Sequence, residues 1–296
     1  MDDIPFCQGP DEHPRPPTWP MPAGACDTHA HVFDAGRYPY QPTRGYTPPD
    51  NGVAKLLAMH DCLGIARGVV TQASVHGTDN RAVLDAAGAH PTRLRAIVAV
   101  SEGVTEAQIT AMHAQGARGI RVNLVDRGGM PFRSLASLAA VADILRPMGW
   151  HIELLVHVEQ KITELRELAA ATRLPISVGH IGYTKPGAGG MAHPGYAEFL
   201  AMLGDGQFWV KLTGLYRISA DKEFPYADSH AMARAVIAAA PTRVLWGSDW
   251  PHVHHYGAMP NDGDMLGLLA EWAPDAGLRD TILRDNPAAL YGFPET

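Results

Sequence analysis

Only three cysteines, Cys7, Cys26 and Cys62, occur in the 296 residues, an odd set without metal-type spacing. That favours a reduced, cytoplasmic setting over a disulfide framework. No run of about eighteen apolar residues is present, so nothing reads as a membrane-spanning helix. Positive charge is scarce: 24 Lys and Arg stand against 31 Asp and Glu, a formal net charge of −7, which argues against nucleic acid or an anionic membrane as partner. A glycine-rich phosphate loop, the mark of a doubly wound nucleotide-binding sheet, is missing near the start. The opening "MDDIPFCQGPDEHPRPPTWPMP" lacks the basic start and apolar stretch of a secretory signal. Dense in proline, it reads as an extended lead-in over residues 1–23.

What is present is a chain 46% apolar and 19% charged, the balance of a globular protein with a sizeable core. Eight short apolar runs recur: 24–33, 66–74, 94–101, 117–124, 151–157, 175–182, 208–216 and 243–251. Between them, stretches such as "GVAKLLAMHDCLG", "NRAVLDAAGAH", "TEAQITAMHAQG" and "VEQKITELRELAAAT" carry helical spacing, several closed by glycine. Eight strands alternating with helices predict a (β/α)8 barrel, one domain over 24–296. In that fold chemistry sits at the C-terminal strand ends. Polar residues gather at those positions: His29 and His31, Ser74 and His76, Arg121 and Asn123, His157, His180, Arg217 and Asp249.

The first run, "GACDTHAHVFD", places Asp27, His29 and His31 at alternate positions, so an ideal strand would turn all three to one face. Two imidazoles at that spacing are able to share one divalent ion, with Asp249 completing an open site; they serve equally as hydrogen-bonded structural groups. With 15 histidines in the chain, about one such pair arises by chance, and "HVH" at 252–254 is a second occurrence. His252, His254 and His255 read either as shapers of substrate choice or as solvent-facing loop residues.

The first-strand HxH, the later His180 and the final-strand Asp249 resemble the amidohydrolase superfamily. "TQASVHGTDN" (71–80), "RGIRVNLVDR" (118–127), "WGSDWPH" (246–252) and "DNPAALYG" (285–292) resemble its 2-pyrone-4,6-dicarboxylate lactonase branch, over nearly the whole chain from residue 24. The resemblance implies a lactone hydrolase in which Asp249 activates water and His29, His31 and His180 orient water and polarise the carbonyl. Arg121, Arg127 and Arg217 would clamp substrate carboxylates, and Tyr46, Ser74 and His76 would add contacts. The expected partner is a small anionic lactone, with no cofactor required; a homo-oligomer is left open.

Two departures stand out. The branch carries a tyrosine on the fifth strand, where "HIELLVHVEQ" offers His157 instead, and its arginine after "HxG" on the sixth strand is replaced by Tyr183. His157 would either donate to the carbonyl, fill a core position, or ligate one zinc-like ion with His29, His31 and Asp249. The last arrangement belongs to a metal-dependent decarboxylase or hydratase of the same superfamily.

Overall fold

A computed structural model describes residues 4–126, 132 and 134–294. Each apolar run forms a strand: β1 (Cys26–Ala30), β2 (Arg67–Thr71), β3 (Leu94–Val98), β4 (Ala117–Asn123), β5 (His151–Leu155), β6 (Ile176–Val178), β7 (Phe208–Leu212) and β8 (Val244–Trp246). All pair in parallel in sequence order, giving the eight-stranded (β/α)8 barrel that the alternation predicts.

Between the strands fall α1 (Val53–Leu63), α2 (Arg81–Ala89), α3 (Glu106–Ala114), α4 (Ala139–Leu145), α5 (Ile162–Thr172), α6 (Pro194–Gly204), α7 (Leu215–Ile218) and α8 (His230–Ala239), and after β8 come α9 (Asp262–Trp272), α10 (Ala276–Asp280) and α11 (Asn286–Tyr291). Their ends follow local chemistry. Thr105 and Gln108 form a reciprocal capping box at the start of α3, and Asn261 accepts from the Gly263 amide at the start of α9. None is long and apolar enough to cross a membrane.

Strand alternation splits the core in two. Val70, Val98, Ile120, Val122, Leu154 and Val210 face outward and pack with helix residues such as Leu56, Ile109 and Leu165. Cys26, Val69, Ile97, Trp209 and Leu245 point inward and close the barrel floor against Leu290, Tyr291 and Phe293. Each such large apolar side chain, fully buried, contributes about 2 kcal/mol.

Above that floor the barrel holds charge. Lys211 on β7 and Glu153 on β5 form a buried ion pair, and Lys211 Nζ also donates to the Thr28 carbonyl at 2.7 Å. Burial pushes the Lys211 ammonium down and the Glu153 carboxyl up; at Glu153 the attraction of Lys211, with His29 and Arg121, more than offsets burial and holds it well below the usual carboxylate range.

The sheet closes between β1 and β8 through longer-range contacts. Thr28 Oγ1 donates to the Trp246 carbonyl at 2.7 Å, and Asp27 accepts from the Ser248 amide at 2.9 Å and the Ser248 hydroxyl at 2.5 Å. A bridge joins Ala30 to Trp250. Here one expectation fails: Asp27 does not accompany His29 and His31. The β1–β2 register shifts between Asp27 and Ala30, which breaks the alternation, and the Asp27 carboxylate is taken up by Ser248 and by His60 of α1, 3.1 Å away.

The lead-in packs beside the barrel mouth. Phe6 bridges to Thr47, the buried Cys7 packs with Tyr46 and Val253, and the Arg15 amide donates to Asn261 at 2.9 Å.

Candidate active site

Three imidazoles surround Asp249, and each is anchored through Nδ1. His31 Nδ1 donates to the Thr71 carbonyl at 2.7 Å and His180 Nδ1 to the Thr213 carbonyl at 3.2 Å. His29 Nδ1 lies 3.3 Å from Glu153 Oε1. Assigned from their carbonyl acceptors, the His31 and His180 rings carry their proton on Nδ1 and leave Nε2 as a lone pair, whereas His29 Nδ1 also has the Lys211 ammonium 3.4 Å away. His29 Nε2 is 3.5 Å and His31 Nε2 3.7 Å from Asp249 Oδ1. The His29 and His180 ring centres are 5.6 Å apart. Burial drives the His180 ring down to about 4 and His31 well below its usual value, so both are neutral at pH 7.

Asp249 receives the Tyr216 hydroxyl on its other oxygen, Oδ2, at 2.5 Å. Burial alone would raise this carboxyl; the surrounding His180, His29 and His31 rings and the Tyr216 hydroxyl more than offset it, and Asp249 stays ionised well into acid. Both His180 and Asp249 have left-handed backbone, at φ 49° and 62°. Such strain costs about 1–3 kcal/mol per non-glycine residue and collects where a side chain must be aimed against local preference. Gly214 makes room for the pair: at φ +57°, a Cβ there would run into the His180 ring and stand 2.8 Å from Asp249 Oδ2.

The arrangement fits a cation. Among the described residues, one ligand atom each of His29, His180 and Asp249 lies within 4.8 Å of the others, and the buried His29 Nε2 has no hydrogen-bond partner. His157, expected as a possible ligand, sits apart from that group. Its ring is 5.0 Å from Tyr183, its Nδ1 is 3.8 Å from Glu159, and its side chain is 31% exposed.

The anion-binding candidates differ from one another. Arg121 is buried on β4 and donates from Nη1 to the Gln72 carbonyl at 3.0 Å. Arg217 is buried too, and its Nη2 donates to Asp126 Oδ1 at 2.7 Å and to the Tyr183 hydroxyl at 3.2 Å. Arg127 lies outside the described residues. Tyr46 is buried, with its ring 5.3 Å from His254. His76 packs in an aromatic cluster, stacked on Phe33 at 5.9 Å and edge-on to Tyr40 at 5.3 Å.

Four polar residues near the site were not singled out from sequence: Glu153, Lys211, Tyr216 and Asp126. The first two had a signal, being charges in the middle of the apolar runs "HIELLVH" and "FWVKLTGLY". Nor do the 252–255 histidines all face solvent. His252 is buried with its Nε2 3.1 Å from Asp262, and His255 is bonded to the Ala258 carbonyl at 2.9 Å.

A barrel mouth carrying the HxH pair, the sixth-strand histidine and the eighth-strand aspartate defines an enzyme of the amidohydrolase class, and the chain belongs to that family: the amidohydrolase family model matches residues 26–293. Among its relatives, a 4-sulfomuconolactone hydrolase from Rhizobium radiobacter is 38% identical, over 98% of this chain and 97% of that one. A 2-pyrone-4,6-dicarboxylate hydrolase from Comamonas testosteroni is 35% identical, over 96% of this chain and 94% of its own. Among solved structures, a probable 2-pyrone-4,6-dicarboxylic acid hydrolase from Acinetobacter baumannii with citric acid bound superposes with a TM-score of 0.79. It is 28% identical, over 91% of this chain and all of that one.

Proposed function

We propose that the protein hydrolyses the ring ester of a small lactone bearing acidic substituents, carboxylate or sulfonate. The observation that carries this reading is the Asp249 carboxylate, ionised, facing two imidazole Nε2 atoms and steadied by Tyr216 at the open end of the barrel. The relatives named for two such lactones support the substrate class.

In this reading Asp249 takes a proton from a water molecule as its oxygen bonds to the lactone carbonyl carbon. The tetrahedral oxyanion then collapses, the bond from the acyl carbon to the ring oxygen breaks, and the departing oxygen recovers the proton from Asp249. Of the three rings only His29 has charged groups behind Nδ1, with Glu153 Oε1 at 3.3 Å and Lys211 Nζ at 3.4 Å, and these hold its Nε2 toward Asp249. His29 faces the reacting carbonyl, while the neutral His31 and His180 accept from and orient the water. Arg121, Arg217 and Arg127 hold the acidic substituents, and Tyr46 and Ser74 border them.

A second reading, a metal-dependent decarboxylase or hydratase, is favoured by the unpartnered His29 Nε2. A divalent ion would be held by His29, His180 and Asp249 and would supply carbonyl polarisation and a more acidic water.

The deciding experiment offers 2-pyrone-4,6-dicarboxylate, 4-sulfomuconolactone and an uncharged sugar lactone to protein as purified and after chelation. Ring opening of an acidic lactone, undiminished by chelation and abolished in Asp249→Asn, is the expected result. Activity lost on chelation and restored by zinc moves the chemistry to the second reading. No ring opening under any condition overturns the lactonase reading.

A further inference from the structure

Arg217 is buried at the barrel mouth, with its side chain 8% exposed. A buried guanidinium without a counter-charge costs several kcal/mol, so an anion site built on it is unstable while empty. The chain supplies the counter-charge itself. Asp126, three residues past the end of β4, bonds Arg217 Nη2 through Oδ1 at 2.7 Å and is itself only 11% exposed. It is not held by Arg217 alone. Asn123 Nδ2 donates to Asp126 Oδ2 at 3.0 Å, the Asn123 Oδ1 accepts from the Asp126 amide at 2.9 Å, and the His254 Nδ1 lies 3.5 Å from Asp126 Oδ1.

We propose that Asp126 is a resident stand-in for a substrate carboxylate: it occupies Arg217 in the empty enzyme and is exchanged for an acidic substituent of the substrate when that substrate binds. This deepens the lactonase reading and rests on Arg217 being an anchor for the substrate's acid groups. On releasing Arg217, Asp126 keeps the Asn123 side-chain amide as donor to Oδ2 and its carboxylate must turn into solvent at the mouth, while the acid group of the substrate takes its place in the buried ion pair. Tyr183 keeps the guanidinium in place meanwhile, since its hydroxyl accepts from Arg217 Nε at 3.4 Å as well as from Nη2. Arg121, buried on β4 with its Nη1 on the Gln72 carbonyl, is the second arginine among the strand-end residues.

The consequence is selectivity by charge number. A ligand with one carboxylate gains only what Asp126 already provides to Arg217. One with two acid groups reaches Arg121 in addition, and that extra contact drives the exchange. Asp126 thereby sets a threshold against the monoanions common in a cell.

The probe is benzene-1,3-dicarboxylate, a dianion with no ester to open, titrated calorimetrically into the full chain beside benzoate. Wild type is expected to bind the dianion and to bind benzoate at least tenfold more weakly. Asp126→Asn is expected to tighten benzoate about tenfold, narrowing the gap. A crystal structure of the wild-type complex, which needs no variant, is expected to show a ligand carboxylate on Arg217 and Asp126 beyond 4 Å from it. If the ligand sits on Arg217 while Asp126 stays bonded there, or if Asp126→Asn leaves both affinities unchanged or weaker, the exchange is overturned and the anchor survives. If the dianion does not bind, or binds without touching Arg217, the anchor itself is overturned and the exchange with it.

Discussion

The Tyr216 hydroxyl donates to Asp249 Oδ2 at 2.5 Å, so one oxygen of the candidate base is committed while Oδ1 lies 3.5 Å from His29 Nε2. This bond favours the ionised carboxylate. Tyr216→Phe is expected to raise the Asp249 pKa, moving the acid limb of the kcat/KM profile to higher pH, and to lower the plateau about tenfold. A pH–rate series on wild type and variant measures both.

Gly214 tests the tightness of the same pocket. Gly214→Ala adds a methyl group that meets His180 and Asp249 and is strained at φ +57°. Activity is expected to fall about a hundredfold or more while the far-ultraviolet circular dichroism is unchanged, because a misplacement of about 1 Å costs that much in a positioned site.

The Glu153–Lys211 pair predicts a non-additive stability pattern. Glu153→Gln strands a buried ammonium and is expected to cost about 3–5 kcal/mol in urea unfolding. Glu153→Leu combined with Lys211→Met removes both charges and is expected to be more stable than Glu153→Gln. It still loses activity, since His29 Nδ1 has then lost its carboxylate.

His151 makes a prediction for pH. Burial lowers its ring to about 4, against 6.5 when unfolded, so the unfolded chain takes up the proton first as pH falls. Its contribution to stability is therefore complete above pH 6.5 and is lost progressively down to about pH 4, where it has withdrawn roughly 3 kcal/mol. His180 acts in the same direction, also at about 4. Tm is expected to drop between pH 7 and 4.5, and His151→Gln, far below the mouth, is expected to flatten that drop.

The architecture was legible because its signal is repeated: eight apolar runs, each with β-spacing, mapped onto eight strands. The His29, His31, His180 and Asp249 cluster is legible for a related reason, since each stands near or just beyond the C-terminal end of a strand. Asp27 was misplaced because alternation presumes a regular strand, and the register shift that turns it toward His60 leaves no mark in residue types. Tyr216 and Asp126 were missed because each sits after a strand, where the loop's path and not its composition decides which neighbour it meets. The sequence marks Arg217 as an anchor, but its engagement with Asp126, 91 residues away, belongs to the folded chain alone.

The seam between β1 and β8 joins Thr28 to Trp246 and Asp27 to Ser248, partners 218 and 221 residues apart in the chain. Contacts of such sequence separation carry the largest loop-closure entropy and form late in folding. The same seam sets the Asp249 amide on the His29 carbonyl at 2.8 Å, bringing base and imidazole together. Catalytic competence and circular closure of the sheet are thus acquired in one event, which makes recovery of turnover during renaturation a direct clock for the final zipping of the cylinder.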